Sequence, residues 1–427
     1  MLGVCPYLFC AADLSPRLQK RYGHTPRLAY FVIQRLIYMK ENKKIIIATG
    51  IFPPDIGGPA TYSEKLAQEL KKRNFDVQII TYSDPGVKYK NYNFPLTTVS
   101  RRYPQGVRHF LYFWRLLKIA KDFDVIYAQC PVSSGLPACF VAKILNKKFI
   151  LKIVGDYAWE QAKVNYGIRE SIETFQNRKD YPLKIKVLRF LEKWVAKNVK
   201  QIITPSNYLK DIVSKWGIEA DKIKIIYNSI DDLSFEHDLT KEEAQNKIGI
   251  KGDILLSIGR LVPWKGFNSL IKIMPDLLAK NIRFKLIIIG SGPERERLKD
   301  LIENLNLKNY VFLIGQVKYS EIVYYFRATD LFILNTAYEG LSHVLLEAMQ
   351  FEVPIITTFI GGNPEIIEHN YNGLLIEYDN RKGFKKAIWG LWQDKELQKK
   401  FIENSKKVLE KFTFKKMIKE SLEILVK

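Results

Sequence analysis

Two cationic side chains stand directly after an apolar run in the second half of the chain. Residues 254–259 predict a short buried strand, and Arg260 and Lys265 come immediately behind it. A guanidinium grips phosphate oxygens with two parallel hydrogen bonds, and an ammonium adds a compact point charge. The pair therefore suits a diphosphate that gains charge as a bond breaks. Two ordinary surface cations are the alternative, since the chain has 67 lysines and arginines.

Two glutamates frame a glycine turn further along the chain. Glu339 follows the apolar run 331–334, and Glu347 lies on the helix predicted after the turn. The turn itself consists of Gly340, Leu341 and Ser342. Free backbone N–H groups at such a helix start can hold an anion. Because a carboxylate would repel a diphosphate, we predict that Glu339 binds hydroxyls of a sugar ring and Glu347 those of a ribose.

Glycine-rich loops follow two more apolar runs. Gly290 opens a Gly-Ser-Gly-Pro turn after residues 284–289, and Gly57 and Gly58 follow the first strand of the chain. Small residues let a ligand approach the backbone, and the N–H groups of such loops can point at a phosphate. We predict that these glycines line an anion site, with a flexible loop as the alternative at Gly57 and Gly58.

One acid in the first half is also a candidate. Asp156 follows the apolar run 149–154, so it is placed to touch a cleft, and Trp159 could stack on the face of a sugar. A helix N-cap is the structural alternative for Asp156. His343, in the helix after the glycine turn, is expected to pack rather than to catalyse.

These loops belong to a repeated strand–helix pattern, which predicts an α/β fold with parallel sheets. In the first half, the runs that predict strands are 45–48, 77–81, 125–128, 149–154 and 201–204. In the second half they are 254–259, 284–289, 311–314, 331–334 and 354–357. Ligands of such sheets bind outside the carboxyl ends of the strands, so two facing domains would enclose a cleft.

The length of 427 residues predicts two domains rather than one core. We expect a Rossmann-like domain over 43–230, a linker over 231–250 and a second Rossmann-like domain over 251–408. The amphipathic segment 409–427 is expected to return to the first domain as a helix. Residues 1–42 form an N-terminal extension: Met39 is a candidate natural start, and a basic amphipathic anchor around 27–38 is the competing interpretation.

The charge and composition of the chain limit the kinds of partner that we expect it to bind. The net charge of +22 attracts anions, with a solvated Lys-rich surface as the plain alternative. The four cysteines lack metal-ligand spacing and fit a reducing compartment. Nowhere do 18 apolar residues run without a charge, so we expect no transmembrane helix. Neither a zinc knuckle nor an aromatic–basic RNA-binding pattern occurs, and we expect no nucleic acid partner.

Taken in order, the motifs resemble the retaining glycosyltransferases of family four, which have the GT-B fold. The resemblance runs from about residue 43 to the end of the chain. Its residues are Gly57-Gly58, Asn228 in Tyr-Asn-Ser-Ile-Asp, Gly259-Arg260, Lys265-Gly266, Gly290-Ser291-Gly292, Glu339 to Glu347, Gly361-Gly362 and Pro364-Glu365. The resemblance implies two facing Rossmann-like domains, the first for an acceptor and the second for a nucleotide diphosphate sugar.

The resemblance also implies roles for single residues. Arg260 and Lys265 would bind the donor diphosphate, with Gly58 closing onto the phosphate. Glu339 and the amides of 340–342 would address the transferred sugar, and Glu347 would hold the ribose. The family needs no metal, so neither a metal nor another cofactor is expected. The anomeric configuration would be retained, with the departing phosphate helping to deprotonate the acceptor.

One position departs from the family pattern. Many relatives carry a histidine in the loop where this chain has Val154-Gly155-Asp156. The expected catalytic set is therefore Asp156, Glu339, Arg260 and Lys265, with the role of Asp156 left open between contact with the sugar and no contact at all.

The expected function is transfer of a hexose-type sugar to a glycan or lipid-linked acceptor in cell-envelope polysaccharide synthesis. The expected location is cytoplasmic, with the basic first domain resting on the anionic inner face of a membrane. A nucleotide-sugar epimerase on the same fold is the alternative, and it would convert the donor with no acceptor present. Sugar, base, acceptor and linkage depend on pocket contacts that a sequence does not reveal.

Overall fold

The structure is a computed structural model that describes residues 43–55, 57–168, 170–230 and 239–426. Residues 1–42, with the candidate start Met39 and the competing anchor, lie outside the described residues. So do positions 231–238 of the expected linker.

Seven parallel strands form the sheet of the first domain. They are β1 (Lys44–Ala48), β2 (Asp76–Ser83), β3 (Leu96–Ser100), β4 (Val125–Ala128), β5 (Lys148–Lys152), β6 (Gln201–Thr204) and β7 (Ile223–Ile225). Their spatial order is β3-β2-β1-β4-β5-β6-β7, and β1 pairs in parallel with β2 and β4. All residues of β1 after Lys44 are buried, because helices cover both faces of a parallel sheet.

Six parallel strands form the second sheet. They are β8 (Asp253–Ile258), β9 (Phe284–Ile289), β10 (Val311–Gly315), β11 (Leu331–Leu334), β12 (Ile355–Thr358) and β13 (Leu374–Ile376). Their spatial order is β10-β9-β8-β11-β12-β13. The chain thus forms two parallel-sheet Rossmann-like domains, and the predicted α/β class is confirmed.

Three strands were absent from the sequence prediction. They are β3, β7 and β13, and each lies at an edge of its sheet. An edge strand is covered less completely than a central one, so its sequence need not be a continuous apolar run. In β3, for example, Leu96, Thr97 and Thr98 are only partly buried.

The helices of the first domain alternate with its strands. They are α1 (Gly58–Lys72), α2 (Gln105–Ile119), α3 (Gly135–Ile144), α4 (Tyr157–Tyr166), α5 (Ile172–Asn177), α6 (Leu183–Lys197) and α7 (Asn207–Ser214). Helices α2, α3 and α6 share one hydrophobic core on one face of the sheet, whereas α1 packs into another core on the opposite face.

The helices of the second domain follow the same alternation. They are α8 (Lys241–Ile248), α9 (Phe267–Leu278), α10 (Arg295–Asn304), α11 (Ile322–Arg327), α12 (His343–Gln350), α13 (Arg381–Gln393) and α14 (Lys395–Leu409). The last helix, α15 (Phe414–Val426), packs against the first domain, where Ile418 and Leu422 share a core with Ile45 and Ile47 of β1. The Ser421 hydroxyl also lies 3.3 Å from the Tyr62 hydroxyl of α1.

Direct contacts join the two domains beside the cleft. The ring of Trp159 in α4 lies 5.5 Å from that of Trp264 and 4.7 Å from that of Tyr338, both in the second domain. The Glu365 carboxylate accepts hydrogen bonds of 2.9 Å from the backbone N–H groups of Asn207 and Tyr208 at the start of α7. Glu365, a residue of the family-like motif, therefore caps a helix of the opposite domain.

Candidate active site

The loops that end the second sheet pack against each other through their backbones. Gly290 follows β9 with φ +144°, and a Cβ there would lie 2.0 Å from the Gly259 carbonyl oxygen. Gly361 follows β12 with φ +64°, and a Cβ there would lie 2.1 Å from the Glu339 carbonyl oxygen. Loop packing by itself explains both glycines, so the anion-binding role of Gly290 stays a prediction.

Lys265 and Glu339 form an ion pair at the edge of the second sheet where its strands end. Lys265 ends a single 3₁₀ turn, Pro263–Lys265, and its ammonium donates to the Glu339 carboxylate. The two side chains are 15% and 12% exposed, so the pair is largely screened from solvent but still open to the cleft. The structure thus places the predicted phosphate ligand and the predicted sugar ligand side by side.

Arg260 lies at the same edge of the second sheet. Its side chain is exposed, and within the described ranges no carboxylate forms an ion pair with it. The positive charges of Arg260 and Lys265 both lower the pKa of Glu160, a residue of the first domain, so the two cations face that domain across the cleft. Three of the four predicted catalytic residues, Arg260, Lys265 and Glu339, are therefore at one place.

The glycine turn leads into α12 as the sequence predicted. No described group accepts a hydrogen bond from the backbone amides of Gly340, Leu341 or Ser342. The Ser342 hydroxyl is buried and also has no partner in the part of the chain that the structure describes. From the first domain, Gly58 approaches the first residue of α12, where a Cβ on it would lie 3.4 Å from His343 Nε2. Gly57 precedes it as the N-cap of α1.

His343 packs against the Gly57–Gly58 loop of the first domain, and its expected role in packing stays a prediction. Burial, followed by the charges of Lys152 and Lys65, lowers the pKa of His343 to about 4. The imidazole is therefore neutral at pH 7 and faces the Gly57–Gly58 loop, although it has no catalytic contact that the structure records.

Glu347 lies one turn further along α12 than His343, on the same face of the helix and beside the first domain. Burial raises the pKa of Glu347 to about 7, and the charge of Lys65 from α1 lowers it. The Lys65 ammonium also lies 5.9 Å from the centre of the Tyr319 ring. Glu347 thus has a cation in its surroundings, a feature that spacing alone did not reveal.

Asp156 has the structural role that the sequence left open. It is the N-cap of α4, where its Oδ1 accepts from the Trp159 backbone N–H at 2.8 Å. Its Oδ2 accepts from the Gln176 amide at 2.6 Å, and burial raises the pKa of the carboxyl. Both oxygens are engaged within the first domain, so a catalytic role for Asp156 stays a prediction and is the least supported of the four.

The prediction that Trp159 stacks on a sugar is wrong. Its side chain is fully buried between Trp264 and Tyr338, and its ring N–H donates to the Glu170 carbonyl at 3.1 Å. The residue lies three positions after the N-cap, on the side of α4 that turns into the domain interface. It joins the two domains and does not face a ligand.

A cavity of about 320 Å³ opens at the carboxyl ends of the first domain's strands. Its walls include Gln129 after β4, Arg108 and His109 of α2, and Glu160 of α4. Burial raises the pKa of Glu160 to about 7, and the negative charge of Asp156 adds to the rise. Sequence reasoning missed Glu160 and Gln129, although Gln129 directly follows the predicted strand 125–128 and Glu160 lies six residues after the predicted strand 149–154.

The described residues contain no group of three or more His, Cys, Asp or Glu side chains that could hold a metal ion. Metal independence remains a prediction. Among the same residues, no helix has the length and apolar character needed to cross a bilayer.

Two family descriptions match the chain in succession. Residues 56–232 match "Glycosyltransferase Family 4", and residues 240–408 match "Glycosyl transferases group 1". The two matches cover the first and the second domain respectively, and the gap between them includes the undescribed residues 233–238.

Curated relatives share most of their length with the chain. An uncharacterized glycosyltransferase of Methanocaldococcus jannaschii is 28% identical over 400 residues, which are 89% of this chain and 97% of the relative. The alpha-monoglucosyldiacylglycerol synthase of Streptococcus pneumoniae is 26% identical over 332 residues, 75% of this chain and 71% of the relative.

Solved structures share the fold. The Anabaena protein HepE in complex with UDP and glucose has a TM-score of 0.74 at 18% identity, covering 90% of this chain and 99% of that one. Sucrose-phosphate synthase of Thermosynechococcus elongatus has a TM-score of 0.74 at 17% identity, covering 90% and 98%.

Proposed function

The chain belongs to the glycosyltransferases of family-four type with the GT-B fold, and from this premise we propose that it is a retaining transferase. It moves a hexose-type sugar from a nucleotide diphosphate sugar to a glycan or lipid-linked acceptor. The observation that carries the proposal is the meeting of Arg260, Lys265 and Glu339 at one edge of the second sheet, facing the first domain.

The donor occupies this edge. Arg260 and Lys265 bind the diphosphate, and they stabilise the charge that grows on it as the sugar leaves. Glu339 accepts hydrogen bonds from the sugar hydroxyls, and the free amides of 340–342 point at the donor's anionic part. Glu347 binds the ribose. Related structures hold UDP, glucose and UDP-glucose, which supports a uridine nucleotide as the first donor to test.

The reaction exchanges one bond for another. The acceptor hydroxyl oxygen bonds to the anomeric carbon, while the bond from that carbon to the β-phosphate oxygen breaks. The bonding electrons leave with the nucleoside diphosphate, and a phosphate oxygen takes the hydroxyl proton. Attack on the face that the phosphate leaves retains the anomeric configuration. Side-chain cations supply the charge, so we propose that no metal is needed.

The first domain supports a peripheral membrane location. Helices α2, α3 and α6 leave Phe110, Trp114, Phe140 and Phe190 exposed on one face of the domain. Lys186, Arg189, Lys193 and Lys197 surround Phe190 and Trp194 in one shallow groove. Exposed aromatic rings among cations are typical of proteins that bind anionic membrane surfaces. We propose that this face rests on the cytoplasmic side of the membrane.

A lipid-linked acceptor fits this geometry. The same helix α2 turns Arg108 and His109 into the first-domain cavity and Phe110 and Trp114 outward. The relative from Streptococcus pneumoniae is named for synthesis of a glucosylated diacylglycerol, which supports a lipid acceptor for this chain as well.

Vesicle co-sedimentation tests the membrane claim. Wild type should pellet with phosphatidylglycerol-rich vesicles at low salt and less at high salt, because salt screens the cations. Phe110→Ser with Phe190→Ser should weaken pelleting, whereas Ile282→Ser, which alters an exposed side chain of the second domain, should not. Equal and negligible pelleting at both salt concentrations would remove the claim.

Product analysis tests the reaction itself. Incubation with a nucleotide sugar and an acceptor should give a glycoside whose anomeric configuration, read by proton NMR, equals that of the donor. An epimerase, which receives no support from the comparisons, would change the sugar of the donor with no acceptor present. An inverted glycoside would contradict the retaining mechanism, and donor epimerisation would contradict transfer.

A further inference from the structure

The Glu160 carboxylate of α4 lies beside Gly155, in space that a side chain at position 155 would fill. The preceding Gly155 has no side chain, and a Cβ built on it would lie 2.7 Å from Glu160 Oε1 and 2.9 Å from the Tyr338 hydroxyl. Any side chain at position 155 would displace the carboxylate. The Gly155 loop therefore makes room for an acid from the following helix.

The Glu160 carboxylate faces the cavity and is only partly buried. In the described ranges no N–H or O–H group donates a hydrogen bond to it, whereas both oxygens of Asp156, one helix turn earlier, are bonded within the first domain. The carboxylate is therefore available to a ligand in the cavity, and that of Asp156 is not.

Two buried side chains near this wall of the cavity have polar atoms without a hydrogen bond of good geometry among the described residues. They include the amide nitrogen and oxygen of Gln129, a residue that is 2% exposed, although this amide lies close enough to the buried Tyr127 hydroxyl to counteract the rise that burial causes in the Tyr127 pKa. The buried Tyr338 hydroxyl, behind Gly155, has none either. Leaving such groups unsatisfied costs stability, so their retention is typical of a site that a ligand completes.

The cavity suits a small hydroxylated ligand. Its volume of about 320 Å³ lies at the lower end of the range of ligand pockets, which is roughly 300–1,000 Å³. Glu160 accepts hydrogen bonds when ionised, and Gln129 can both donate and accept them. A sugar or another polyol offers hydroxyls that do both.

We propose that Glu160 and Gln129 bind the hydroxyl groups of the acceptor and hold its reactive oxygen toward the donor side of the cleft. This inference rests on the proposed function, because the acceptor is defined by the transfer. Glu160 is a binding residue here, in place of a side chain from the Gly155 loop, and Gln129 completes the contact from β4.

The charges around Glu160 are mixed. The other acids are Asp156 and Glu192, the thiol and hydroxyl groups are those of Cys130, Tyr157 and Tyr338, and the cations are Arg260 and Lys265, with Arg101 and Arg108 on the walls of the same cavity. The pKa of Glu160 is about 7, above the usual value, so the free enzyme loses stability through this group as pH rises toward 7. Ligand hydroxyls would compensate the ionised carboxylate.

Thermal unfolding of the free enzyme gives the first test. Glu160→Gln and Gln129→Met should each raise Tm, by about 2 °C or more at pH 8, because the first removes a charge that burial disfavours and the second removes a buried amide without a hydrogen bond of good geometry among the described residues. The gain for Glu160→Gln should shrink at pH 5, where the acid is protonated. Asp156→Asn is the matched control and should lower Tm, because its oxygens are bonded. If Glu160→Gln and Gln129→Met lower Tm as the control does, both groups are structural and the inference is wrong.

Kinetics give the second test. The probes are UDP-, GDP- and ADP-sugars as donors and a panel of n-octyl glycosides as acceptors, with hydrolysis of the donor by water measured alongside. Glu160→Gln should lower kcat/KM for the octyl glycoside by about 10- to 100-fold, the size expected for a lost hydrogen bond to a charged group. Donor hydrolysis should change little.

The two proposals fail in different ways. Wild type that neither hydrolyses nor binds any of the nucleotide sugars contradicts the proposed function. Active wild type whose Glu160→Gln and Gln129→Met variants transfer sugar equally well contradicts only the acceptor contacts.

Discussion

The cleft has two edges: a donor edge, formed by the loops that end the second sheet, and an acceptor edge, formed by the walls of the first-domain cavity. The two edges differ in how their polar groups are paired in the free protein. On the second domain, loops interlock through their backbones at Gly290 and Gly361, and Lys265 is already bonded to Glu339. On the first domain, the partly buried Glu160 lines a cavity, and the buried Gln129 amide beside it has no hydrogen bond of good geometry among the described residues. The second-domain edge thus holds a cation–acid pair already in the free protein and keeps Arg260 and the amides of residues 340–342 for the donor, whereas among the described residues no cation forms an ion pair with Glu160 at the first-domain edge.

This difference matches the chemistry that each edge performs. A diphosphate is the same group in every nucleotide sugar, so a rigid and preorganised site stabilises its charge without reorganisation. An acceptor is recognised by single hydroxyls, and a site built to bond them rejects molecules that lack them.

The largest expected effect comes from a substitution that breaks the ion pair between Lys265 and Glu339 at the donor edge. Lys265→Ala removes a phosphate ligand and leaves Glu339 without its partner. We expect kcat/KM to fall by about 100- to 1,000-fold, the range found when one group that stabilises transition-state charge is lost. The measurement is steady-state transfer, with Lys272→Ala on α9 as a control that should retain activity. Near-normal turnover in Lys265→Ala would refute the role of the ion pair.

The next effect tests whether backbone packing holds the donor edge. Gly361→Ala forces a Cβ to within 2.1 Å of the Glu339 carbonyl at a φ of +64°. We expect unfolding to become easier by about 2–4 kcal/mol, measured by urea denaturation. Gly390→Ala is the control, because a Cβ there meets nothing within 4 Å in the interior of α13. It should stabilise the protein by about 0.5–1 kcal/mol, and equal effects of both changes would contradict the packing account.

The smallest expected effect is a pH dependence of nucleotide binding that arises from Glu347, which lies on the second domain beside the first. The pKa of Glu347 is about 7, raised by burial, and only its ionised form accepts hydrogen bonds from both ribose hydroxyls. Nucleotide affinity should therefore fall as pH decreases from 8 to 6, by roughly threefold to tenfold. Isothermal titration with UDP measures it, and Glu347→Gln should flatten the profile. A profile that keeps its slope in Glu347→Gln would assign the titration to another group.

The sequence predicted the donor edge better than the acceptor edge. Arg260 directly follows the apolar run 254–259, and Lys265 and Glu339 lie six and five residues after such runs, within local motifs. Strand ends and motifs therefore place them together without knowledge of tertiary structure. Glu160 and Gln129 come from different units, and nothing in their sequence spacing shows that both lack partners. That property appears only when burial and hydrogen bonds are known.

The prediction of the fold from the sequence was limited in a similar way. The central strands were predicted because both of their faces are buried, whereas β3, β7 and β13 are short edge strands with weaker patterns. Trp159 was misassigned because an aromatic residue near a strand end serves equally well in a domain interface. Local patterns specify elements, and contacts between domains decide which side chains face the cleft.

Donor binding by matched arginine variants tests the central claim most directly. Thermal shifts are measured with UDP-, GDP- and ADP-sugars for wild type, Arg260→Ala and the control Arg283→Ala, whose side chain is 71% exposed on the second domain. A ligand at a hundred times its Kd stabilises a protein by about 2.7 kcal/mol, enough for a clear rise in Tm. We predict that at least one nucleotide sugar raises Tm of wild type and Arg283→Ala but not of Arg260→Ala. Wild type that responds to none of them, or an Arg260→Ala variant that responds as wild type does, would contradict the account.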